Sequence, residues 1–207
     1  MPFKIRPLSS IAHRLPVALV LSIICLVVPV WADFQAGMDA NNREDYATAL
    51  HEWRPLAEQG DALAQYHLGV LYRKGRGVPQ DDVQARQWYD KAAVQGHAKA
   101  QYNLGTLYFN GEGVPKDYRQ ALRWFRLAAD QREAIAQTKI AIMYEDGLGV
   151  PHDLVQAYKW YSLAITSGDK PADLLRKSLA DQMTPPQIAE AQKLAQAWKP
   201  KTPPAPR

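Results

Sequence analysis

The sequence predicts an all-α chain, an α/α solenoid of antiparallel helix pairs, on three observations. A long residue pattern returns every 36 positions, and its apolar residues fall at helical spacing within each copy. Glycine and aspartate punctuate the copies where one helix must end and the next begin. Ala64 recurs as Ala100 and Ala136, Gln65 as Gln101 and Gln137, and Tyr72 as Tyr108 and Tyr144. Val78-Pro79 returns as Val114-Pro115 and Val150-Pro151, and Trp88 as Trp124 and Trp160.

Residues 1–32 read as an export signal. Lys4, Arg6, His13 and Arg14 make a positive start, and an apolar run from Leu15 to Val30 follows. Val30-Trp31-Ala32 suits a signal peptidase, so cleavage after Ala32 and a periplasmic or secreted location are expected. A membrane partner is expected only through this segment, and only where it stays uncleaved. Pro16 and Pro29 interrupt a run that is short for a span of about 20 residues. Cys25, the one cysteine in the chain, lies here, so the mature chain offers no disulfide, thiol nucleophile or thiolate metal site. The net charge is +4, and setting aside Lys4, Arg6 and Arg14 leaves a body of +1. That balance gives no electrostatic reason to expect nucleic acid.

Residues 33–60 read as N-terminal capping helices. Ala49, Trp53, Ala57 and Gly60 match the back half of a repeat, with Trp53 on the place of Tyr89, and Phe34 to Ala40 supplies a shortened first helix. Three full units then follow at 61–96, 97–132 and 133–168. In the first helix of each, positions such as Ala64, Leu68, Leu71 and Tyr72 form one apolar stripe. Gly69 and Gly105 sit beside it, where a missing side chain lets a neighbouring helix approach, and Gly75, Gly111 and Gly147 suit a left-handed C-terminal cap.

The second helix of each unit opens on Asp81, Asp117 or Asp153, followed three residues later by Gln84, Gln120 or Gln156. This is the pattern of a capping box, in which the aspartate accepts from helix N–H groups and the glutamine reaches back. Ala85, Trp88 and Ala92 then give a small-large-small face that interlocks with its neighbours. Residues 169–198 read as C-terminal capping helices, the second opened by Thr184-Pro185-Pro186-Gln187, and 199–207 as a disordered proline-rich tail.

The pattern Ala-x3-Leu-Gly-x2-Tyr-x2-Gly-x-Gly-Val-x2-Asp-x3-Ala-x2-Trp resembles the Sel-one-like repeat (SLR), a relative of the tetratricopeptide repeat. The resemblance implies a scaffold for protein complexes, bacterial envelope assemblies included, with a concave groove lined by the first helices. The groove stripe would be the set that does not recur: Tyr66, Val70 and Arg73, then Tyr102, Thr106 and Phe109, then Thr138, Ile142 and Glu145. Tyr66, Tyr102 and Phe109 would be the anchors, with Arg73 and Glu145 setting orientation. A competing account of Tyr66 and Tyr102 is that they pack across the seam between units with their hydroxyls in water.

No catalytic residue, cofactor site or metal site is expected. His51-Glu52-x-x-Pro55 lacks the second histidine of a zinc-protease helix, and the Gly-x-Gly loops follow no strand and lack a lysine. His67, His97 and His152 fall at different repeat positions and are expected on the surface. The function expected is therefore an exported, non-catalytic adaptor for a partner protein or peptide. The alternatives are binding of cell-wall glycan, or the weak β-lactam-directed hydrolysis of cysteine-rich relatives, whose paired cysteines this chain lacks.

Overall fold

The computed structural model describes residues 30–200, and every regular element among them is a helix. The expected leader, apart from its last three residues, and the chain from 201 onward lie outside the described residues. In chain order the helices are α1 (Val30–Asn42), α2 (Tyr46–Glu58), α3 (Ala62–Lys74), α4 (Asp82–Val94) and α5 (Ala98–Asn110). They continue as α6 (Tyr118–Asp130), α7 (Ala134–Asp146), α8 (Leu154–Thr166), α9 (Ala172–Ala180) and α10 (Pro185–Ala197). None is long and apolar enough to cross a membrane.

Successive helices pack in series. α1 pairs with α2, α3 with α4, α5 with α6 and α7 with α8, and each second helix also packs on the first helix of the next pair. The array ends differently. α9 and α10 each pack on α8 and do not form a hairpin with one another.

The spine is built from the recurring positions. Ala64, Ala100, Ala136 and Ala172 are fully buried, as are Ala85, Ala121 and Ala157 and the leucines Leu68, Leu104 and Leu107. Small residues at the crossings let the axes approach, and the leucines fill the gaps between them. The largest buried side chains form a second series at 36-residue spacing, Trp53, Tyr89, Phe125 and Tyr161, none more than 1% exposed. Each of the first three lies under a glycine of the preceding helix. A Cβ on Gly69 would stand 2.5 Å from the Tyr89 ring, one on Gly105 2.7 Å from Phe125, and one on Gly37 2.7 Å from Trp53 Cδ1. The missing side chain therefore admits an aromatic ring of the next helix, and at Gly105 also the Ala121 carbonyl, 3.2 Å from an added Cβ. Trp124, by contrast, is only half-buried.

Two expectations are corrected here. The first helix of the N-terminal pair is not shortened: α1 has the 13 residues of the repeat helices, beginning at Val30, and Gly37 takes the place that Gly69 has in the next unit. The capping box of the second helices is half formed. Asp81 accepts from the N–H groups of Val83 and Gln84, Asp117 from those of Arg119 and Gln120, and Asp153 from that of Gln156. The glutamine has nothing to reach, because the aspartate N–H already donates to the carbonyl of Tyr72, Tyr108 or Tyr144 at 2.9–3.0 Å. Among the described residues the full return arm occurs only at α10, where Thr184 N–H donates to Gln187 Oε1 at 2.8 Å.

The recurring glutamine has a different task. Gln65 and Gln101 are buried, and each donates through Nε2 to a carbonyl of the preceding helix, Ala57 or Ala93, at 3.0 Å. Each accepts in turn from Gln95 or Gln131, at 2.7 and 2.8 Å. In the third unit Ser167 stands where that second glutamine would be, and the buried Oε1 of Gln137 has no partner. A buried acceptor left unpaired costs on the order of 1 kcal/mol.

Candidate functional site

The first helices α3, α5 and α7 present the same face three times, and the nine residues expected to line a groove lie along it. Eight are half-buried and Thr138 is buried, its hydroxyl donating to the Asp169 carboxylate. Thr138 thus belongs to the seam between α7 and the turn before α9. Thr106 turns its hydroxyl back onto the Tyr102 carbonyl at 3.0 Å. Arg73 pairs with Glu112 at 2.9 Å, and Glu145 accepts from the buried Tyr161 hydroxyl at 2.6 Å. Arg73 is thus held by the loop between α5 and α6, and Glu145 by the next helix, α8. Val70 and Ile142 pack edge-on against the core.

The three aromatic residues keep one side on the core and one side open. Tyr102 tilts against Phe125 with ring centroids 5.9 Å apart. Phe109 meets Tyr118 at 5.2 Å, with the Lys139 ammonium 5.6 Å from its ring centre. Tyr66 stacks on the His97 ring at 4.6 Å and meets His67 edge-on at 5.1 Å. Behind them Trp53 lies 4.5 Å and Phe34 5.6 Å from the His67 ring. Five rings from α1, α2, α3 and the start of α5 thus close into one cluster. No ring contact joins Tyr66 to Tyr102 among the described residues, whereas Tyr102 and Phe109 both lie against the Phe125 ring, so the stripe falls into a Tyr66 patch and a Tyr102–Phe109 patch.

Sequence reasoning missed two parts of this face, although the register contained both. The series Tyr66, Tyr102, Thr138 continues 36 residues later at Leu174 on α9, which is 73% exposed, with Leu175 beside it at 42%. The histidines also differ from expectation. His152 is exposed, but His67 and His97 are half-buried among rings, since a flat imidazole can share an aromatic cluster. Among the described residues, no group of three or more histidine, cysteine or acidic residues is placed to hold a metal ion.

The Sel1 repeat model matches residues 62–97, 98–132 and 134–169, just over half of the chain. The chain belongs to the Sel1 repeat family. A Sel1 repeat protein from Oxalobacter formigenes is 36% identical, with a TM-score of 0.68 over 72% of this chain and 61% of that one. A protective antigen of uropathogenic Escherichia coli strains, c5321, which displays an SLR fold, is 29% identical with a TM-score of 0.57 over 86% of this chain and 47% of that one. The chain thus spans about three fifths and about half of the lengths of these two relatives. No curated protein matches it. Sel1 repeat proteins generally form scaffolds for protein–protein contacts and are generally non-catalytic.

Within this Sel1 repeat array the histidine cluster makes stability depend on pH. His97 is the N-cap of α5, and its Nδ1 accepts from the Ala100 N–H at 3.1 Å, a bond that only the unprotonated nitrogen can make. Burial first, then Lys99, hold its pKa below the ordinary 6.5, with Asp61 opposing. Burial first, then His97 and Lys99, push His67 down to about 4. Both folded values are depressed, so the unfolded chain takes up protons that the folded chain refuses. This contribution is complete above pH 6.5 and fades as pH falls towards 4. At pH 4.5 the loss is on the order of 2 kcal/mol relative to pH 7 once solvent screening is allowed for. The double variant His67→Asn, His97→Asp carries residues that the same register uses at Asn103 and Asp61. Its urea midpoint should change less between pH 7 and 4.5 than that of the parent, and an identical pH profile would show that other groups set the dependence.

Proposed function

We propose that the chain is an exported, non-catalytic scaffold that receives a partner protein or peptide in the groove lined by its first helices. The observation that carries this reading is the half-open state of Tyr66, Tyr102 and Phe109 above a core whose repeating positions are closed. Each ring is already fixed by neighbours, so a partner that covers its open side gains apolar area with little loss of side-chain entropy. Exposed Leu174 and Leu175 extend the same face to a fourth helix. The basic, apolar leader read in residues 1–32 supports export to the periplasm or beyond, and membership of the Sel1 repeat family supports the scaffold role.

The test uses affinity capture from envelope extract followed by mass spectrometry, with isolated peptidoglycan in a parallel arm. Replacing Tyr66, Tyr102 and Phe109 together with alanine should lower partner recovery tenfold or more while helicity at 222 nm persists. Leu174→Glu with Leu175→Glu, which removes nothing from the core, should weaken capture severalfold. Unchanged recovery with both variants would remove the groove from the account. Retention on peptidoglycan instead of a protein would replace the partner with glycan.

A further inference from the structure

The outer positions of the second helices can be compared register by register. At one position α2, α4, α6 and α8 carry Ala47, Val83, Arg119 and Val155. Four residues on they carry His51, Gln87, Arg123 and Lys159, and three further on Arg54, Asp90, Arg126 and Ser162. Only α6 has arginine at all three. Arg119, Arg123 and Arg126 are exposed, and at i, i+4 and i+7 they form one stripe about 10 Å long.

The repeat does not require arginine at positions 119 and 123, whereas Arg126 makes the seam bond that Arg54 makes to the Tyr72 hydroxyl at 3.1 Å. Like charges at i, i+4 destabilise a helix, and the neighbouring units fill the same positions with Val83, Gln87 and Asp90 or with Val155, Lys159 and Ser162. The guanidinium groups are nonetheless held in place. Arg126 donates to the Tyr144 hydroxyl at 2.8 Å, which ties it to the seam with α7, and Arg123 lies 5.8 Å from the Trp124 ring centre. Lys159 extends the stripe across to α8, held 4.9 Å from the Trp160 ring centre. Its ammonium is less basic than usual, through burial first and then through the nearby charge of Arg126. Of the acids at the two ends of α6, Asp117 caps the helix and Asp130 is not without a partner.

We infer that the arginine stripe Arg119, Arg123 and Arg126 on α6, completed by Lys159, is a second docking surface that takes a carboxylate-rich segment of a partner protein. Planar guanidinium forks suit carboxylates, which they can grip through two parallel hydrogen bonds. A helix bearing acids at i, i+4 and i+7 repeats the spacing of the stripe. The stripe is one helix wide. Its length of about 10 Å suits a short acidic segment rather than the long uniform charge of a nucleic acid. Leu127, 40% exposed, and the half-buried Trp124 are the large apolar side chains of α6 beside the stripe, too little to enter a bilayer. This surface lies on the second helices and goes beyond the groove reading.

The probe is a fluorescein-labelled helical peptide with glutamate at i, i+4, i+7 and i+11 on an alanine and glutamine background, titrated with the full-length protein and read by anisotropy. Arg119→Gln, Arg123→Gln and Arg126→Gln together should weaken binding at least tenfold with helicity unchanged. Raising salt from 50 to 300 mM should weaken the parent several-fold. A control with the same loss of charge elsewhere, Lys74→Gln, Lys99→Gln and Lys170→Gln, should change affinity less than threefold, and so should the groove triple alanine variant. Equal loss in the charge control would overturn the site, as would no binding by the parent. Tighter binding of an oligothymidylate or of phosphatidylglycerol vesicles than of the peptide would overturn the assignment of a protein partner.

Discussion

Gly113→Ala should lower folding stability by more than 3 kcal/mol, whereas Gly96→Ala should cost about 1. Both residues have positive φ, +66° and +92°, so both substitutions carry the conformational penalty of a left-handed L-residue. They differ in surroundings. Around Gly96 there is open space, with nothing within 4 Å of an added Cβ. At Gly113 the Cβ would stand 2.5 Å from the Asp82 carbonyl carbon, closer still to its oxygen, and 2.9 Å from the Val83 nitrogen. These are backbone atoms at the first turn of α4, pinned by the Asp81 cap, so no side chain can swing away to make room. Gly77 meets Tyr46 and Gly149 meets Tyr118 in the same way, which makes the second loop glycine the contact that sets the distance between successive units. Urea unfolding followed by circular dichroism compares the two variants directly. Equal losses would show that the loop can move off the helix and that the spacing is set elsewhere.

The repeat and its all-helical nature were legible because identical residues at a 36-residue period leave one consistent register. What periodicity could not rank was the importance of positions within the pattern. The recurring Trp88, Trp124 and Trp160 draw the eye, yet the deepest aromatic series runs one residue later as Trp53, Tyr89, Phe125 and Tyr161. Its members differ in identity, so it is invisible to a search for identical residues. The glutamine three residues into each second helix reads as half of a capping box because local sequence carries no knowledge of the Tyr72, Tyr108 and Tyr144 carbonyls that occupy the aspartate N–H. The candidate face was only partly legible. Its residues could be named from their failure to recur, but the burial of Thr138 depends on Asp169, 31 positions away, and the Tyr66 cluster depends on rings from four elements. The charge stripe on α6 was hidden in a near-neutral total, since a sum over the chain says nothing about where the charges stand.

Trp53→Ala should cost about 3–5 kcal/mol, and Trp124→Ala less than half as much, the reverse of what a search for identical residues would suggest. Trp53 is fully buried, and its indole N–H donates to the Phe34 carbonyl at 3.2 Å, which ties α1 to α2. Its ring lies against Gly37 on one side and His67 on the other, so truncation opens a cavity between α1, α2 and α3 and leaves the Phe34 carbonyl without that donor. Among the described residues the α1–α2 pair packs on one following helix, α3, and a local defect there loosens the pair before the array unfolds. Amide exchange should therefore quicken first in Val30–Asn42 and Tyr46–Glu58, with protection of α5 to α8 retained under mild conditions. Trp124 is half-buried, and its loss removes less packing and no such bond. Uniform quickening of exchange along the chain would show that the N-terminal pair and the repeats unfold as one unit. If instead Trp124→Ala proved the more damaging, the aromatic series that includes Trp53 would not be the element that holds the stack together.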